Sequence, residues 1–414
     1  MQSVLSTIYV YWASIFILPK KVIKDIEQLI RNFLWSGNDL DPYKAKVAWR
    51  DICYPKKQGG LGIKPLYVWN QSLVAKLVWR LLVGNKESLW VQWVHTYRVR
   101  GTCFWLLKTP YACPWYWRKL LLVRGTVKPF FGWRIGDGCS TFFWYDQWHP
   151  LGVLIDHFSR QLPRQLGIPI LAKVEDFIED GAWTRMEPFR SLSPEFGEDR
   201  LPTLFLPSRP DELYWLPTSN GLFSVRSAFQ AIQTRRDPVP WYRLVWSSAS
   251  IPTYSFIFWL AIRERLFTLD RINRFLSFPN RCFLCRSDAE RHSHLFFQCS
   301  YSREVLSVVQ RSKKFSWPWR RWEIGVLWAA ARWSGNSPWQ VANRLLLQTM
   351  IYFIWRERNN RCFRDQERSA SQLAHLIQSA VWARLISIHF RPSLQTHALR
   401  HVWRLPRDQT SPPR

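Results

Sequence analysis

The chain has 414 residues, 47% of them hydrophobic and 16% aromatic, which is enough apolar material for two or three domains with cores of their own and argues against general disorder. Its 58 Lys and Arg against 30 Asp and Glu give a net charge of +28, which favours a polyanionic partner and makes RNA or DNA the leading candidate. The rival explanation of this charge is drift in a chain that is no longer under selection.

The first third of the sequence predicts helices. The apolar run at 4–18 lacks the basic start and the cleavage site of a signal peptide, and it is shorter than the roughly 20 apolar residues that span a bilayer, so we expect a buried helix. Apolar residues recur at spacings of three and four over 22–34, which predicts a second helix with one buried face. Three glycines within 59–62 predict a turn, and 66–82 predicts a further helix.

The middle of the chain, over 104–240, has short aromatic runs separated by Gly and Pro and predicts two β-hairpins. In the first, 131–138 enters a Gly-Asp-Gly turn and 141–144 returns as the second strand. In the second, 212–216 and 222–225 flank an Asn-Gly turn.

After the hairpins the sequence becomes helical again. Either Ser224 or Ser227 is expected to begin a helix, because a hydroxyl side chain can accept hydrogen bonds from the first free amides.

The Pro-rich stretch at 158–210 is weakly patterned, and we expect a long loop or partial disorder there. The residues from 301 onward carry 19 Lys and Arg against 6 Asp and Glu. The helices expected in this basic last third are 324–331, 341–353 and 373–390.

The sharpest signal is a cluster of three cysteines and a histidine within eighteen residues. Cys282 and Cys285 have the C-x2-C spacing that lets two thiolates hold one zinc ion, and His294 and Cys299 complete a tetrahedral set. Such a closed set is structural, since it leaves no position open for a catalytic water. His292 competes as the fourth ligand, but His294 is preferred because it lies five positions before Cys299 with apolar residues between. The alternative is three incidental buried cysteines.

The second signal is the interleaving of tryptophan and arginine in a chain with 27 tryptophans. Aromatic rings beside guanidinium groups can stack on unpaired bases and contact phosphate, although most tryptophans of a folded chain belong to its core. The candidate nucleic-acid contacts are Arg320, Arg321, Trp322, Trp355, Arg356 and Arg358.

The sequence does not favour an enzyme. A two-metal polymerase needs closely spaced aspartates, and the chain has no Asp-Asp pair. It also has no P-loop, G-x-S-x-G or H-E-x-x-H string. Spacing alone leaves a ribonuclease H site open, but the few acidic residues of the last third stand beside arginines and are typical of solvated helix faces.

Several motifs form a recognisable set, among them Trp-Arg-Ile-Gly-Asp-Gly at 133–138 and Ser-Asn-Gly-Leu-Phe-Ser-Val-Arg-Ser-Ala at 219–228. Together they resemble the region downstream of the polymerase domain in plant LINE-type (non-LTR) retrotransposon reverse transcriptases, including their zinc-binding domain. The resemblance covers nearly the whole chain. The other stretches that carry it are 9–20, 30–37, 47–49, 56–63, 143–148, 245–248, 259–261, 282–299 and 352–360.

The resemblance implies structural Zn²⁺ held by Cys282, Cys285, His294 and Cys299 and a nucleic-acid-binding role. It also implies that the endonuclease and polymerase palm of the relatives lie before residue 1, and that their ribonuclease H domain lies near or after the last residue. We therefore expect a zinc-binding accessory segment that contacts RNA or DNA without catalysing polymerisation. The alternative is a non-functional remnant of a transposable element.

The expected fold class is α+β and mainly helical. The expected regions are a thumb-like helical region, an aromatic-rich β-hairpin region, the zinc-binding domain and a basic helical tail, over 1–95, 96–235, 236–312 and 313–414 respectively. We expect no membrane partner and a nuclear or cytoplasmic location.

Overall fold

The computed structural model describes residues 10–41, 44–84, 87–109, 111–179, 182–196, 201, 209–272, 281–313, 315–318 and 321–406. This part of the chain is mainly helical with three small two-stranded antiparallel sheets, which confirms the predicted fold class. Internal contacts divide the chain into two compact units. The N-terminal unit comprises Met1–Pro42 and Lys64–Thr234, and the C-terminal unit comprises Tyr43–Ile63 and Arg235–Arg414. The four regions expected from the sequence remain a prediction.

The helices of the N-terminal unit include two that the apolar spacing predicted, Lys20–Ser36 and Leu66–Val83. Of the two predicted helix starts, Ser224 and Ser227, the structure selects Ser224, whose hydroxyl caps the helix Val225–Ile232 by accepting the amide of Ser227 at 3.0 Å. The remaining helices of this unit are Leu89–Val94, Trp115–Val127, Leu154–His157, Leu162–Gln165 and Glu187–Leu192.

The first apolar run forms a helix over 10–15, and residues 4–9 lie outside the described part of the chain. The expectation of a buried helix is wrong for the described residues, because Tyr11 and Trp12 are 64% and 58% exposed. Hydrogen bonds add to the limited apolar burial of this segment, in which Ala13 is fully buried. The side-chain amide of buried Asn70 donates through Nδ2 to Ala13 O and Phe16 O at 2.6 and 2.7 Å.

The central strands pair differently from the prediction. Phe131–Arg134 is a strand as expected, but its antiparallel partner is Glu212–Trp215, which the prediction placed in a separate hairpin. Neither 141–144 nor 222–225 returns as a strand beside its expected partner. Small hairpins form elsewhere, from Gln147–His149 with Gly152–Val153 and from Ile178–Glu179 with Ala182–Trp183.

The side chain of Asp211 explains the turn that separates 131–134 from 141–144. Its Oδ1 accepts the amides of Gly136 and Gly138, and its Oδ2 accepts the amides of Ser140 and Thr141 and the Thr141 hydroxyl, all at 2.8–3.0 Å. One carboxylate therefore fixes the whole loop and brings Glu212–Trp215 beside the strand before it.

Two hydrophobic cores lie in the N-terminal unit. The first joins the helices Leu66–Val83 and Trp115–Val127 to the paired strands. The second is rich in aromatic side chains and draws on the weakly patterned stretch 158–210, whose described part contains short helices and a hairpin. Phe177, Phe189 and Phe196 from this stretch are at most 3% exposed, so they belong to the core.

The C-terminal unit is built on the long helix Pro338–Phe363, which begins with a capping box between Ser337 and Gln340. The other helices of this unit are Trp49–Cys53, Tyr242–Val245, Pro252–Ile262, Leu269–Ile272, Ser300–Lys313, Trp322–Trp333, Ala370–Ile386 and Leu394–Trp403. The long helix, Trp322–Trp333 and Ala370–Ile386 confirm the three helices predicted in the last third of the sequence.

The glycine turn predicted near residue 60 is confirmed. Gly59 has a φ of +86°, a conformation that glycine adopts without steric cost. Its carbonyl accepts the indole N–H of buried Trp259 at 2.9 Å, and the Lys57 carbonyl accepts the Val239 amide at 2.8 Å. These bonds attach the 43–63 segment to the helices that follow it within the C-terminal unit.

No helix in the described part of the chain is both long enough and apolar enough to cross a bilayer.

Candidate metal centre

A tight turn brings Cys282 and Cys285 together. The Cys282 amide donates to Asp288 O, and the Arg286 amide donates back to Cys282 O, both at 2.8 Å. Arg286 adopts the left-handed conformation, with a φ of +59°, which reverses the chain after the second cysteine. The backbone N–H groups of Cys285 and Leu284 counteract part of the rise in the pKa of Cys282.

The other two residues come from a short π-helix, His294–Gln298, and the residue that follows it. The Cys299 amide donates to His294 O at 2.7 Å, which closes the turn and places both side chains on the same side. The helix Ser300–Lys313 begins directly afterwards and fixes the position of Cys299. The four residues thus come from two local structures whose formation depends on short-range hydrogen bonds.

The ligand atoms of Cys282, Cys285, His294 and Cys299 all lie within 4.8 Å of one another. The Cys282 and Cys299 sulfurs are 4.0 Å apart, and the Cys285 sulfur is 3.3 Å from His294 Nε2. Tetrahedral Zn²⁺ with bonds of about 2.3 Å to sulfur and about 2.0 Å to nitrogen requires separations of roughly 3.5–3.8 Å. The donor set and its spacing therefore fit one ion of this size.

Electrostatics within the cluster favour the thiolate form at two of its three sulfurs, those of Cys299 and Cys285. A hydrogen bond from Cys282 and the neighbouring His294 lower the pKa of Cys299 to about 4, while the same sulfur–sulfur contact raises the pKa of Cys282. Burial raises the pKa of Cys285, but hydrogen bonds from the Ser287 side chain and from the Asp288 and Ser287 amides outweigh it and leave that pKa below its ordinary value. Thiolates are the form that binds zinc.

The histidine of the cluster responds to the same sulfurs. A hydrogen bond with Cys299, joined by one with Cys285, raises the pKa of His294 to about 9 despite the opposing effect of burial. His294 Nδ1 lies 4.0 Å from the Asp288 carboxylate, on the side of the ring away from Cys285. A bound divalent cation would take the place of the proton on Nε2, with Asp288 left to orient the ring.

His292, the alternative fourth ligand, does not join the cluster. It is 7% exposed and packs edge-on against Phe296 and Trp322, with ring centroids 5.0 and 5.4 Å away. Burial lowers its pKa to about 4, which keeps the ring neutral among aromatic neighbours. The geometry therefore favours His294 over His292 as the fourth ligand.

A buried ion pair connects this region to the long helix. Arg358 and Glu290 are 1% and 0% exposed, and their side chains form hydrogen bonds of 2.8–3.2 Å. Glu290 also accepts the Leu269 amide at 3.0 Å. Since Glu290 lies between Cys285 and His294 in the sequence, it ties the cluster to the helix behind it.

The candidate nucleic-acid contacts fall into three groups. Arg321 and Arg356 are exposed and can reach a ligand, and Arg320 lies outside the described residues. Trp322, Trp355 and Arg358 are buried at 2%, 9% and 1% exposure. The prediction is wrong for these three side chains, because each is packed within the C-terminal unit, where a phosphate or a base cannot reach it.

Sequence reasoning missed two tyrosines beside Arg356. Tyr254 and Tyr352 are half-buried, and their rings stack at a centroid separation of 4.2 Å and an interplanar angle of 25°. Tyr352 lies one turn before Arg356 on the long helix, and Tyr254 comes from the helix Pro252–Ile262. The spacing of Tyr352 and Arg356 at positions i and i+4 could have predicted that the two side chains lie on the same face of the helix.

The three cysteines and one histidine of the cluster could hold one metal ion. A comparison with known protein families supports a metal site in this part of the chain. Residues 223–305 match the family model described as zinc-binding in reverse transcriptase, and this range contains all four clustered residues. The predicted resemblance to the zinc-binding region of retroelement reverse transcriptases is therefore confirmed.

Two similar proteins come from Arabidopsis thaliana, in agreement with the predicted plant origin. One is named provisionally as a ribonuclease H protein and is 27% identical over 310 residues, which cover 72% of this chain and 49% of the relative. The other is an uncharacterised mitochondrial protein, 28% identical over 145 residues that cover 34% of this chain and 90% of the relative. The chain thus spans about half of the length of the longer relative.

Proposed function

We propose that this chain is a zinc-binding and nucleic-acid-binding accessory segment of a LINE-type reverse transcriptase, without polymerase activity of its own. The observation that carries the proposal is the cluster of Cys282, Cys285, His294 and Cys299 within the matched zinc-binding region. The four donors fit a closed tetrahedral site, and a closed site serves structure rather than catalysis.

Zinc in this site would fix the turn at Cys282 and the π-helix at His294 relative to each other. Binding of the ion in small modules contributes on the order of 10 kcal/mol to folding, because the unfolded chain has no preformed site for the metal. The ion would also hold Glu290 in place opposite Arg358. The expected role of zinc is therefore to make this face of the C-terminal unit rigid.

The nucleic-acid surface proposed here consists of Tyr254, Tyr352 and Arg356. A half-buried aromatic pair beside an exposed guanidinium group can stack on an unpaired base and contact its phosphate. The net charge of +28 supplies the long-range attraction that brings a polyanion to such a surface. Exposed Arg321 is a further candidate contact for the backbone.

The absence of an Asp-Asp pair from the sequence supports a non-catalytic role for this chain. The ribonuclease H activity suggested by the name of the longer relative belongs to that protein, of which this chain matches half. A nuclear or cytoplasmic location completes the proposal.

The test begins with the zinc content of the purified full chain, measured by mass spectrometry for the wild type, Cys285→Ala and the control Cys113→Ala, a cysteine outside the cluster. We expect one equivalent of zinc in the wild type and the control and less than a tenth of that in Cys285→Ala. Binding of single-stranded RNA and DNA is then measured against salt concentration. Affinity should fall steeply as salt rises.

Two results would contradict the proposal. The same zinc content in Cys285→Ala and the wild type would show that Cys285 is not a zinc ligand. An affinity for RNA and DNA that does not depend on salt concentration would contradict the nucleic-acid-binding role. A chain that binds neither zinc nor nucleic acid would support the alternative of a non-functional retroelement remnant.

A further inference from the structure

A small pocket lies in the C-terminal unit, between the long helix Pro338–Phe363 and the chain that follows it into the helix Ala370–Ile386. Its volume is about 240 Å³, below the roughly 300–1,000 Å³ of pockets that enclose a whole small molecule, so it suits one compact chemical group. Arg356 and Asn360 line it from the long helix, and Arg368 lines it from the chain that follows. Positive charge and polar donors therefore meet in one small space.

Two guanidinium groups of the pocket have N–H donors to spare. Arg356 is exposed and makes neither a hydrogen bond nor an ion pair with any described residue. Arg368 is positioned by a bond in which its Nη1 donates to Glu357 Oε2 at 3.3 Å, and its side chain remains 36% exposed. Within the described part of the chain its Nε and Nη2 donate to no acceptor. A guanidinium group has five N–H donors in a planar fork that fits the oxygens of a phosphate.

Asn360 supplies a buried donor to the same pocket. The residue is 5% exposed, and its side-chain amide makes no hydrogen bond with any described residue. The amide is not sealed in the core, because neither its Oδ1 nor its Nδ2 is fully enclosed. A buried polar group gains free energy when a ligand completes its hydrogen bonds. Asn360 therefore points to a polar ligand in this pocket.

Glu357 also lines the pocket, but its negative charge is compensated. Its side chain is 0% exposed, and its Oε1 accepts the Arg368 amide at 2.7 Å and Arg361 Nε at 3.1 Å. With the bond from Arg368 Nη1 to Oε2, two guanidinium groups cover this one carboxylate. Together with Arg356, three guanidinium groups stand against one carboxylate, which leaves an excess of two positive charges. Glu357 therefore orients Arg368 and does not exclude an anion.

Phe353 joins the pocket to the tyrosine pair of the proposed nucleic-acid surface. Its ring lines the pocket, and its centroid lies 5.9 Å from that of Tyr254 and 5.4 Å from that of Tyr352. Arg356 borders both features, because it lines the pocket and lies one helical turn after Tyr352. An anionic group held in the pocket would therefore belong to a ligand that also reaches the tyrosines.

From these observations we propose that the pocket binds the terminal phosphate of a nucleic-acid strand, which deepens the proposed nucleic-acid function and rests on it. A terminal phosphate carries roughly 1.5–2 negative charges at neutral pH and has three strong acceptor oxygens. These match the excess of two positive charges and the three groups of donors on Arg356, Asn360 and Arg368. A phosphodiester within the strand has one negative charge, and the strand would have to enter and leave the small pocket through the same opening.

The direct test compares two ten-residue oligouridines, one with a 5′-phosphate and one with a 5′-hydroxyl, by fluorescence anisotropy with the full chain purified in the presence of zinc. We expect the phosphorylated strand to bind at least about tenfold more tightly, since hydrogen bonds to a charged group change affinity by about this factor. Equal affinity for the two strands would overturn the proposal.

Two variants assign this preference to the pocket. Asn360→Leu keeps the approximate shape of the side chain but removes the buried donor, and Arg356→Met removes one cation. Each should reduce the preference for the phosphorylated strand to about threefold or less. A preference that is unchanged in both variants would place the phosphate elsewhere on the chain and contradict the assignment. Arg356 is exposed, so its variant gives a result even if Asn360→Leu does not fold.

Arg364→Met is the matched control for Arg356→Met. Arg364 is exposed at the end of the same helix and does not line the pocket, so its variant removes the same charge outside the site. It should weaken the binding of both strands alike and keep the preference of the wild type. An equal preference in Arg356→Met and Arg364→Met would show that Arg356 has no special part in recognising the phosphate and would contradict its assignment.

The same measurement separates this inference from the proposed function. Salt-dependent binding of both strands with equal affinity would leave the proposed function in place and remove the phosphate site. Failure of the wild type to bind either strand would contradict the proposed function and this inference together.

Discussion

Arg358 and Glu290 form an ion pair that is almost completely removed from solvent, with Arg358 Nη2 2.8 Å from Glu290 Oε1 and side-chain exposures of 1% and 0%. Burying two charges costs solvation energy, and good geometry returns part of it. The pair connects the segment that carries the cysteine and histidine cluster to the long helix. The sequence had suggested a nucleic-acid contact for Arg358 instead.

Removing one partner of this pair should be costly. Arg358→Met leaves the Glu290 carboxylate buried without its cation, and we expect a loss of about 3–5 kcal/mol in the free energy of unfolding of the C-terminal unit. Arg356→Met, two positions away on the exposed side of the same helix, should change it by less than about 0.5 kcal/mol. Urea unfolding of the zinc-loaded proteins, followed by circular dichroism, measures both. Equal stabilities would contradict this role for the pair.

The two histidines near the cluster should behave differently. His294→Phe removes a metal ligand, and we expect the affinity for zinc to fall at least about 100-fold because three donors remain. His292→Phe exchanges one ring for another among Phe296 and Trp322 and should keep zinc. Competition with a zinc-binding dye measures the two affinities. Loss of zinc from His292→Phe with retention in His294→Phe would reverse the ligand assignment.

Buried His149 should make stability depend on pH. Burial, with a smaller contribution from His157, lowers its pKa to about 4. The unfolded chain has an ordinary histidine pKa near 6.5 and binds the proton first as pH falls. Stability from His149 is therefore fully present above pH 6.5 and is lost as pH falls from about 6.5 towards 4, by roughly 1–3 kcal/mol in all.

A variant isolates this contribution from that of the other histidines. His149 Nδ1 accepts the Leu151 amide at 3.2 Å, and His149→Asn offers an amide oxygen in its place but cannot be protonated in this range. The difference in unfolding free energy between wild type and variant should shrink between pH 7 and pH 5. A difference that is the same at both pH values would contradict the assignment.

Asp211 should be essential to the N-terminal unit. Asp211→Ala leaves four backbone amides and the Thr141 hydroxyl without their acceptor, and we expect a loss of about 3 kcal/mol or more. Glu212→Gln is the control on the adjacent residue, because its 3.5 Å contact with Arg134 is exposed and should contribute less than about 1 kcal/mol. Thermal unfolding of both variants tests this, and a Tm equal to wild type in Asp211→Ala would refute it.

The sequence predicted what depends on local spacing. The helix at 66–82, a helix start at Ser224 or Ser227 and the turn at Gly59 all follow from patterns a few residues long. The pairing of Phe131–Arg134 with Glu212–Trp215 could not be predicted, because it depends on Asp211, a residue about 75 positions from the loop it holds. An intervening stretch with weak periodicity gave no sign that its phenylalanines complete a core.

For the candidate site, the spacing of residues in the sequence predicted the cysteine and histidine cluster correctly, but it did not predict which side chains are exposed for nucleic-acid contact. Cys282, Cys285, His294 and Cys299 lie within one short segment, so their proximity follows from the sequence. Exposure does not follow in the same way. Trp322 packs against Phe258 from a helix distant in the sequence, and Tyr254 meets Tyr352 across two helices.

The most direct test of the central claim is a titration of the metal-free full chain with Co²⁺, followed by visible absorption. Cobalt stands in for zinc and reports its ligands, since tetrahedral coordination with thiolates gives intense visible bands together with sulfur-to-metal charge transfer. We predict saturation at one equivalent with a spectrum of three thiolates and one imidazole, and displacement by one equivalent of Zn²⁺. A weak octahedral spectrum, or no saturation, would contradict the claim that these four residues form a metal centre.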